Sequence, residues 1–450
     1  MNHRKDVTRA LAEWIVETDL KTIPETTQKE GVRTFVNWLG CAVGGASHET
    51  VDRALAGIGP FTGPATSTVI GRTEQLDALH AALINGISSH VLDYDDTHLK
   101  TIIHPAGPVA SAILAIAERQ KVSGSDFLTA LIIGVEVECR IGNSVYPHHY
   151  DRGWHITGTA GVMGAAAAVG KLLGLNVQQM TWALGIAATQ SSGFREMFGT
   201  MTKSFHPGRA AQNGTLAAHL AKANFDSSEQ AIEAPRGFAN VMSEKQDYQE
   251  ILGGLGNHWE AALNSYKPFA CGIVIHPTID GCIKLSEQLG DDVNRIVQFH
   301  LKAHPLVLEL TGKKEPKTGL ESKFSVFHSA ACALLRRDGS PTAFTDEATN
   351  APELVALRRK VTVDTDPSCH EAAVSIRATL DDGRVIEHSI ERAIGSVEKP
   401  LSKDQLEKKF IDQAALVIGK AQAKTLLAKA WTFPELDDVA VIAKASVPNH

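Results

Sequence analysis

Four segments gather titratable side chains beside glycine and proline: His90 to His98 with His104-Pro105, Tyr146 to His155, Lys203 to Arg209, and Lys267 to Gly272 with His276-Pro277. Each falls at or just after an expected helix end, where loop residues can converge on a cleft. Asp93, Asp95, Asp96 and His98 group hard oxygen donors with an imidazole, which is what a divalent cation takes. Helix capping and a solvated loop use the same residues, and the spacing lacks an EF-hand or a two-histidine zinc motif, so no metal is expected. Lys203, His206 and Arg209 recur every third residue around Pro207-Gly208; as a turn leading into a helix they would present cations to one carboxylate or phosphate. Lys203 stands between Phe198, Met201 and Phe205, where burial would lower its pKa and free a neutral amine as a base; the plain alternative is a surface charge. His155 opens an Ala/Gly-rich helix whose positive end favours a neutral, proton-accepting ring. A lone histidine is more often structural, and His148 and His149 are read that way.

No phosphate loop, dinucleotide loop, GxSxG elbow or zinc-protease helix is found. In particular, Lys203 is too far from Gly199 for the GxxxxGK[ST] pattern. The chemistry expected is cofactor-free: cations that bind carboxylates, beside several proton acceptors.

The elements that must position these residues change character along the chain. From Asp6 to about residue 265 the apolar spacing is helical, as in VTRALAEWIV and GSDFLTALIIGVEVECRIG. Gly158–Gly174 and Pro207–Ala223 are rich in Ala and Gly and belong in a tightly packed bundle centre. After about residue 268, RIVQFHLKA, RRKVTVDT and VSIRATLDDGRVIEHSI alternate like strands, with a hairpin turn at Asp381-Asp382-Gly383. The helices PTIDGCIKLSEQL and SKFSVFHSAACALL interrupt them. Helical spacing returns from Ser402. The fold expected is mainly α: residues 1–267 as the first part of a helical domain, 268–398 as an α+β lid, and 399–450 as helices returning to the helical domain.

Length and charge bound the function classes. A chain of 450 residues with 43% apolar and 21% charged residues is a globular protein of more than one domain. A formal charge of −7 argues against nucleic acid as a partner. No apolar run reaches the length of a membrane span. The N-terminal stretch MNHRKDVTRALAEWIVETDL reads as an amphipathic helix and not a signal peptide. Six cysteines without a CxxC pair read as reduced thiols, so a cytoplasmic location is expected.

Five motifs in order, HVLDYDDTH…HPAGPV, GWHITGTAGVMGAAAAVGKLLGL, GFREMFGTMTKSFHPGRAAQNGTLAAHLA, KPFACGIVIHPTIDG and GLESKFSVFHSAACALL, resemble the MmgE/PrpD family over about residues 6–445. The resemblance implies a homodimer with a large helical domain and an α+β lid, acting on small polycarboxylates without an organic cofactor. Its members include 2-methylcitrate dehydratase, cis-aconitate decarboxylase and iminodisuccinate epimerase. It implies active-site positions at Asp93, Thr97, His104, His155 and Lys203, completed by His206 and Arg209. His276 and His328 are expected to bind substrate, and Tyr146 is a reserve catalytic group.

Lyases of the family tend to carry His or Arg where Gly272 stands and Tyr where His328 stands, so these two departures weigh against dehydration and decarboxylation. All the family reactions build charge on a carbon α to a carboxylate, which needs cations over the carboxylate and a positioned base. Lys203, His104 and Arg209 would supply the cations, and His155 or Asp93 the base. The expectation is an isomerase that epimerises an iminodisuccinate-like substrate, with His155 and Lys203 flanking the carbon. The alternatives are a hydro-lyase of the 2-methylcitrate dehydratase type, a decarboxylase, or a non-catalytic polycarboxylate-binding protein.

Overall fold

A computed structural model describes residues 6–449; the first five residues of the expected N-terminal helix lie outside them. That helix runs Val7–Glu17 and buries Val7, Leu11 and Ile15, one stripe at four-residue spacing. The Ala/Gly segment forms the helix Ile156–Leu172, in which every residue from Ile156 to Gly170 is buried. A helix apolar on all sides has to sit at the centre. It packs between the helices Gly124–Val145 and Met201–Lys222.

One apolar core takes residues from Val7 to Tyr266 and then from Leu401 to Ala443. The return is made by the helices Lys403–Ile418 and Lys420–Trp431; the first starts with a reciprocal Ser402/Gln405 capping box and packs on Glu25–Gly45. A second core takes residues from Ala270 to Ile390, joined by Cys41 and Tyr94 from the helical body. It lies between the helices His276–Leu289 and Val326–Arg336 and a four-stranded sheet. The strand order is Val361–Thr365, Ile296–Ala303, Val374–Leu380, Val385–Ile390, with only the first pair parallel. The last two strands form the expected hairpin, turning at Gly383 with φ 85°. The protein is mainly α with a smaller α+β part. Among the described residues no helix is long and apolar enough to cross a membrane.

The sequence reading is corrected at Pro207. It does not lie in a turn before a helix; the helix Met201–Lys222 begins six residues earlier and runs through it. Proline has no N–H to donate to the preceding turn and ordinarily disrupts a helix interior. Here the next residue, Gly208, lies against Gly86 on the helix Ala78–Val91. A Cβ on Gly86 would stand 2.4 Å from the Gly208 Cα, and one on Gly208 2.3 Å from the Leu83 carbonyl oxygen. This close crossing brings His90, one turn beyond Gly86, to Lys203.

Candidate active site

Two short elements bring the polar segments together. Strand Asp96–His98 pairs antiparallel with Asn264–Tyr266, Asp96 opposite Tyr266, which sets Lys267 beside Asp95. The turn between His90 and this strand is made by Asp93 in the left-handed region, φ 51°. Asp tolerates that conformation better than most residues, although its surroundings must still hold it there. The outcome is a small cleft where the two cores meet, lined by Asp93, Ile102, His104, Tyr150, His155, Phe198, Lys203, Lys267, Gly272, Ile273, Val274, Leu310, Thr311 and Phe324.

Its floor is a directional chain of hydrogen bonds. Asp95 Oδ2 lies 2.6 Å from His90 Nδ1, and a carboxylate beside a ring nitrogen places the proton on Nδ1. His90 Nε2 is then a lone pair, and the Lys203 ammonium donates to it at 2.9 Å. Lys203 also donates to Asp93 Oδ1 at 3.0 Å, and Lys267 to the same oxygen at 2.6 Å. All of these groups are buried. Burial alone would raise Asp93, but the Lys203 and Lys267 ammoniums outweigh it and hold the carboxyl well below the usual range. Asp95 is likewise held low against burial, chiefly by His90 and His104. Burial draws the Lys203 pKa down while Asp93 opposes it; Lys267 is raised, since Asp93 and Asp95 outweigh its burial. Asp96 is different: burial and Asp95 push it up to about 7, and its Oδ2 accepts from the Ala106 backbone and from Asn264.

Two histidines face the cleft from the other side. His104 Nδ1 is 2.8 Å from the Asp96 carbonyl oxygen. A carbonyl can only accept, so Nδ1 carries the proton and Nε2 is a base. His155 Nδ1 meets His206 Nδ1 at 2.8 Å, while His155 Nε2 is buried without a partner. One ring of that pair donates and the other accepts, so the tautomer decides whether His155 offers the cleft a proton or a lone pair. Burial, reinforced at His155 by His206 and Lys203 and at His104 by Lys267, lowers both pKa values well below the ordinary value, and both rings are neutral near pH 7.

Of the residues singled out from sequence, Asp93, His104, His155 and Lys203 line the cleft. Thr97 and His206 stand directly behind it: Thr97 Oγ1 is 3.2 Å from His104 Nδ1, and His206 abuts His155. Arg209 is exposed and donates to Gln212. At about 100° per residue, each step of three turns the direction back by about 60°, so the third cation of the series has swung out to solvent. Tyr146 is half-buried with its ring 6.0 Å from Tyr150, and Tyr150 lines the cleft instead. His276 lies in a neighbouring cavity beside Pro277, with Nε2 3.4 Å from the Cys271 carbonyl. His328 is buried in the α+β part with Nε2 on the Ala343 carbonyl at 2.8 Å, away from the cleft.

Sequence reasoning missed Lys267, Tyr150 and the linking role of His90. Lys267 stood inside a quoted motif, but only the strand pairing shows that it reaches Asp93. Ligand atoms of His90, Asp93 and Asp95, and those of His90, His104 and His155, are close enough to hold a metal. However, a divalent ion on the first set would share Asp93 with two ammonium groups in a buried site, where like charges repel strongly.

Family models describe two successive parts of this chain: the MmgE/PrpD N-terminal domain matches residues 9–251 and the MmgE/PrpD C-terminal domain residues 269–432. The chain belongs to the MmgE/PrpD family. Similar proteins include a cis-aconitate decarboxylase of Aspergillus terreus, 26% identical across 97% of this chain and 95% of its own length. The cis-aconitate decarboxylases of Mus musculus and Homo sapiens are 27% and 26% identical, covering 98% and 97% of this chain and 93% and 94% of theirs. These relatives carry lyase names, which favours the lyase alternative over the epimerase expected from Gly272 and His328.

Proposed function

We propose that this protein is a lyase that removes carbon dioxide from a small unsaturated tricarboxylate, cis-aconitate or a close analogue. The observation that carries the reading is the unpartnered His155 Nε2 in one cleft with the Lys203–Asp93–Lys267 chain. Relatives with a decarboxylase name, aligned over nearly their whole length, support it.

In this reaction the bond between the substrate CH2 and its carboxylate breaks, and its electron pair becomes a new terminal C=C. The pair of the original alkene moves to the carbon α to a retained carboxylate and takes up a proton there. Charge therefore builds on that α carbon and its carboxylate. Lys203 and Lys267 supply preorganised ammonium groups for the retained carboxylates in a water-poor site, where such interactions count for more than in water. His155, in the tautomer with hydrogen on Nε2, delivers the proton as its Nδ1 takes up the one it accepts from His206 Nδ1, and the pair regains its proton from solvent. His206 and His90 keep the rings and the amine in place.

Incubation with cis-aconitate in deuterated water, followed by NMR, tests the reading. The expected product is a dicarboxylate with a terminal methylene and one deuterium on the former alkene carbon. Hydrogen exchange with an intact skeleton would favour epimerase-type chemistry. Binding without either change would remove both enzyme readings. In the folded Lys203→Ala protein, a loss of kcat/KM on the order of 10²-fold or more is expected, the scale of positioned proton transfer and charge stabilisation.

A further inference from the structure

Three consecutive carbonyls of the turn that carries Asp93 are each held by a buried lysine from a different part of the chain. Lys323, in the lid, donates to the Leu92 oxygen at 2.7 Å and to the Ala270 oxygen at 3.0 Å. Lys267, at the junction, reaches the Asp93 oxygen at 3.3 Å in addition to its carboxylate. Lys409, on the returning C-terminal helix, donates to the Tyr94 oxygen and to Asn37 Oδ1, both at 2.6 Å. Its ammonium also sits 4.2 Å from the centre of the Tyr94 ring, whose hydroxyl donates to the Pro268 oxygen at 3.0 Å.

We propose that Lys323 and Lys409 are positioning residues: they clamp the turn on either side of Asp93 and so hold its carboxylate between Lys203 and Lys267. Among the described residues neither ammonium has a carboxylate partner within salt-bridge distance, and burying a charge on neutral carbonyls is costly. Both lysines spend their donors on the carbonyls flanking a left-handed, non-glycine residue, a conformation that persists only when its surroundings over-determine it. Neither lines the cleft, so their effect on chemistry passes through Asp93. The lid, the junction and the C-terminal helix thus converge on one residue.

The inference rests on the site reading above, and its test separates the two. Lys323→Met and Lys409→Met keep side-chain length without the charge. In both, kcat for carbon dioxide release from cis-aconitate should fall on the order of tenfold or more, as expected when a catalytic group is displaced by a fraction of its contact distance. KM should stay within about threefold, because neither lysine meets substrate. Lys171→Met is the control: its ammonium caps the Ile15 and Val16 carbonyls far from the cleft, so it should lower Tm and leave kcat intact. Lys409→Gln, which keeps a donor for the Tyr94 oxygen, should recover part of the lost rate and carries the test if the Met variant fails to fold. Unchanged kcat in the folded lid and C-terminal variants would overturn the clamp. If the wild-type protein releases no carbon dioxide, the functional reading fails, and crystal structures of the variants decide the clamp. Asp93 leaving the left-handed region, or its Oδ1 leaving Lys203, supports it; an unmoved Asp93 overturns it.

Discussion

His155 divides its two ring nitrogens between a histidine and the cleft, which makes its protonation state the main variable of the chemistry. Burial and the neighbouring His206 and Lys203 hold its pKa well below the ordinary value, and burial pulls His206 down to about 4. The pair is therefore neutral far below the pH at which a free histidine gains a proton, about 6.5. We expect kcat/KM, which reports the free protein's groups, to show no histidine titration from pH 7 down to about pH 5. An acid limb centred near 6.5 would show that the working imidazole is solvated and that the His155–His206 pair is not the proton source. His155 was legible in the sequence because it precedes a helix of small residues, and Lys203 because it stands among aromatic neighbours beside other cations. Lys267 was not, because its chemistry depends on a pairing across about 170 residues of chain, and the left-handed Asp93 leaves no mark in residue type. Arg209 misled for the opposite reason: regular spacing in sequence looked like convergence, but the helical rotation separates positions that are six residues apart.

At the scale of elements, the packing of the helices Gly124–Val145 and Ile156–Leu172 encloses a carboxyl that has no role in the proposed reaction. Glu138 is wholly buried, and neither of its oxygens has a hydrogen-bond partner. It lies against Gly161 and Gly164, where added Cβ atoms would stand 3.0 Å from its Oε2 and 2.9 Å from its Cβ. Burial, then the nearby Asp96, raises its pKa well above the usual value. A carboxyl raised in the folded state costs nothing below its unfolded pKa of about 4.3; above it the unfolded chain gains by ionising and stability falls as pH rises. Glu138→Gln keeps the shape and removes that term. The variant should gain stability over wild type progressively between pH 5 and 8, by up to about 1.4 kcal/mol per pH unit, read as a widening Tm difference. A Tm difference that stays constant over this range would show that Glu138 is solvated or ionised. These helices were readable from 3.6-residue spacing and small-residue content. The start of the helix Met201–Lys222 was not, because Pro207-Gly208 is normally a turn signal and only the Gly86–Gly208 contact shows why a helix passes through it.

The whole molecule closes two apolar cores over a buried, charged seam, and this has a cost in acid. The switch from helical to alternating spacing near residue 290, and back near 400, was visible in the sequence because each core needs its own periodicity. The number of titratable groups trapped between them was not, since burial depends on the closed structure. Among the described residues nine histidines have lowered pKa values: His48, His90, His104, His149, His155, His206, His219, His276 and His328. Burial is the leading cause in each, and His149, His206 and His328 are brought to about 4. Their contribution is fully present above the unfolded value of about 6.5 and is lost as pH falls from there toward 4, because the unfolded chain takes up protons that the folded one refuses. Five buried or half-buried carboxyls, Glu30, Asp96, Glu118, Glu136 and Glu138, are raised and act in the opposite sense over much of the same range. The histidines outnumber them, so the unfolded state binds more protons overall. Each unbalanced proton is worth about 1.4 kcal/mol per pH unit. Tm measured by calorimetry should therefore fall steadily between pH 6.5 and 5, ahead of the further loss expected when Asp93, held low by Lys203 and Lys267, and Asp95, held low chiefly by its histidine neighbours, are forced to protonate in stronger acid. Constant Tm down to pH 5, with loss only below about 4, would mean that the carboxylates dominate and that the histidines are solvated in the folded protein.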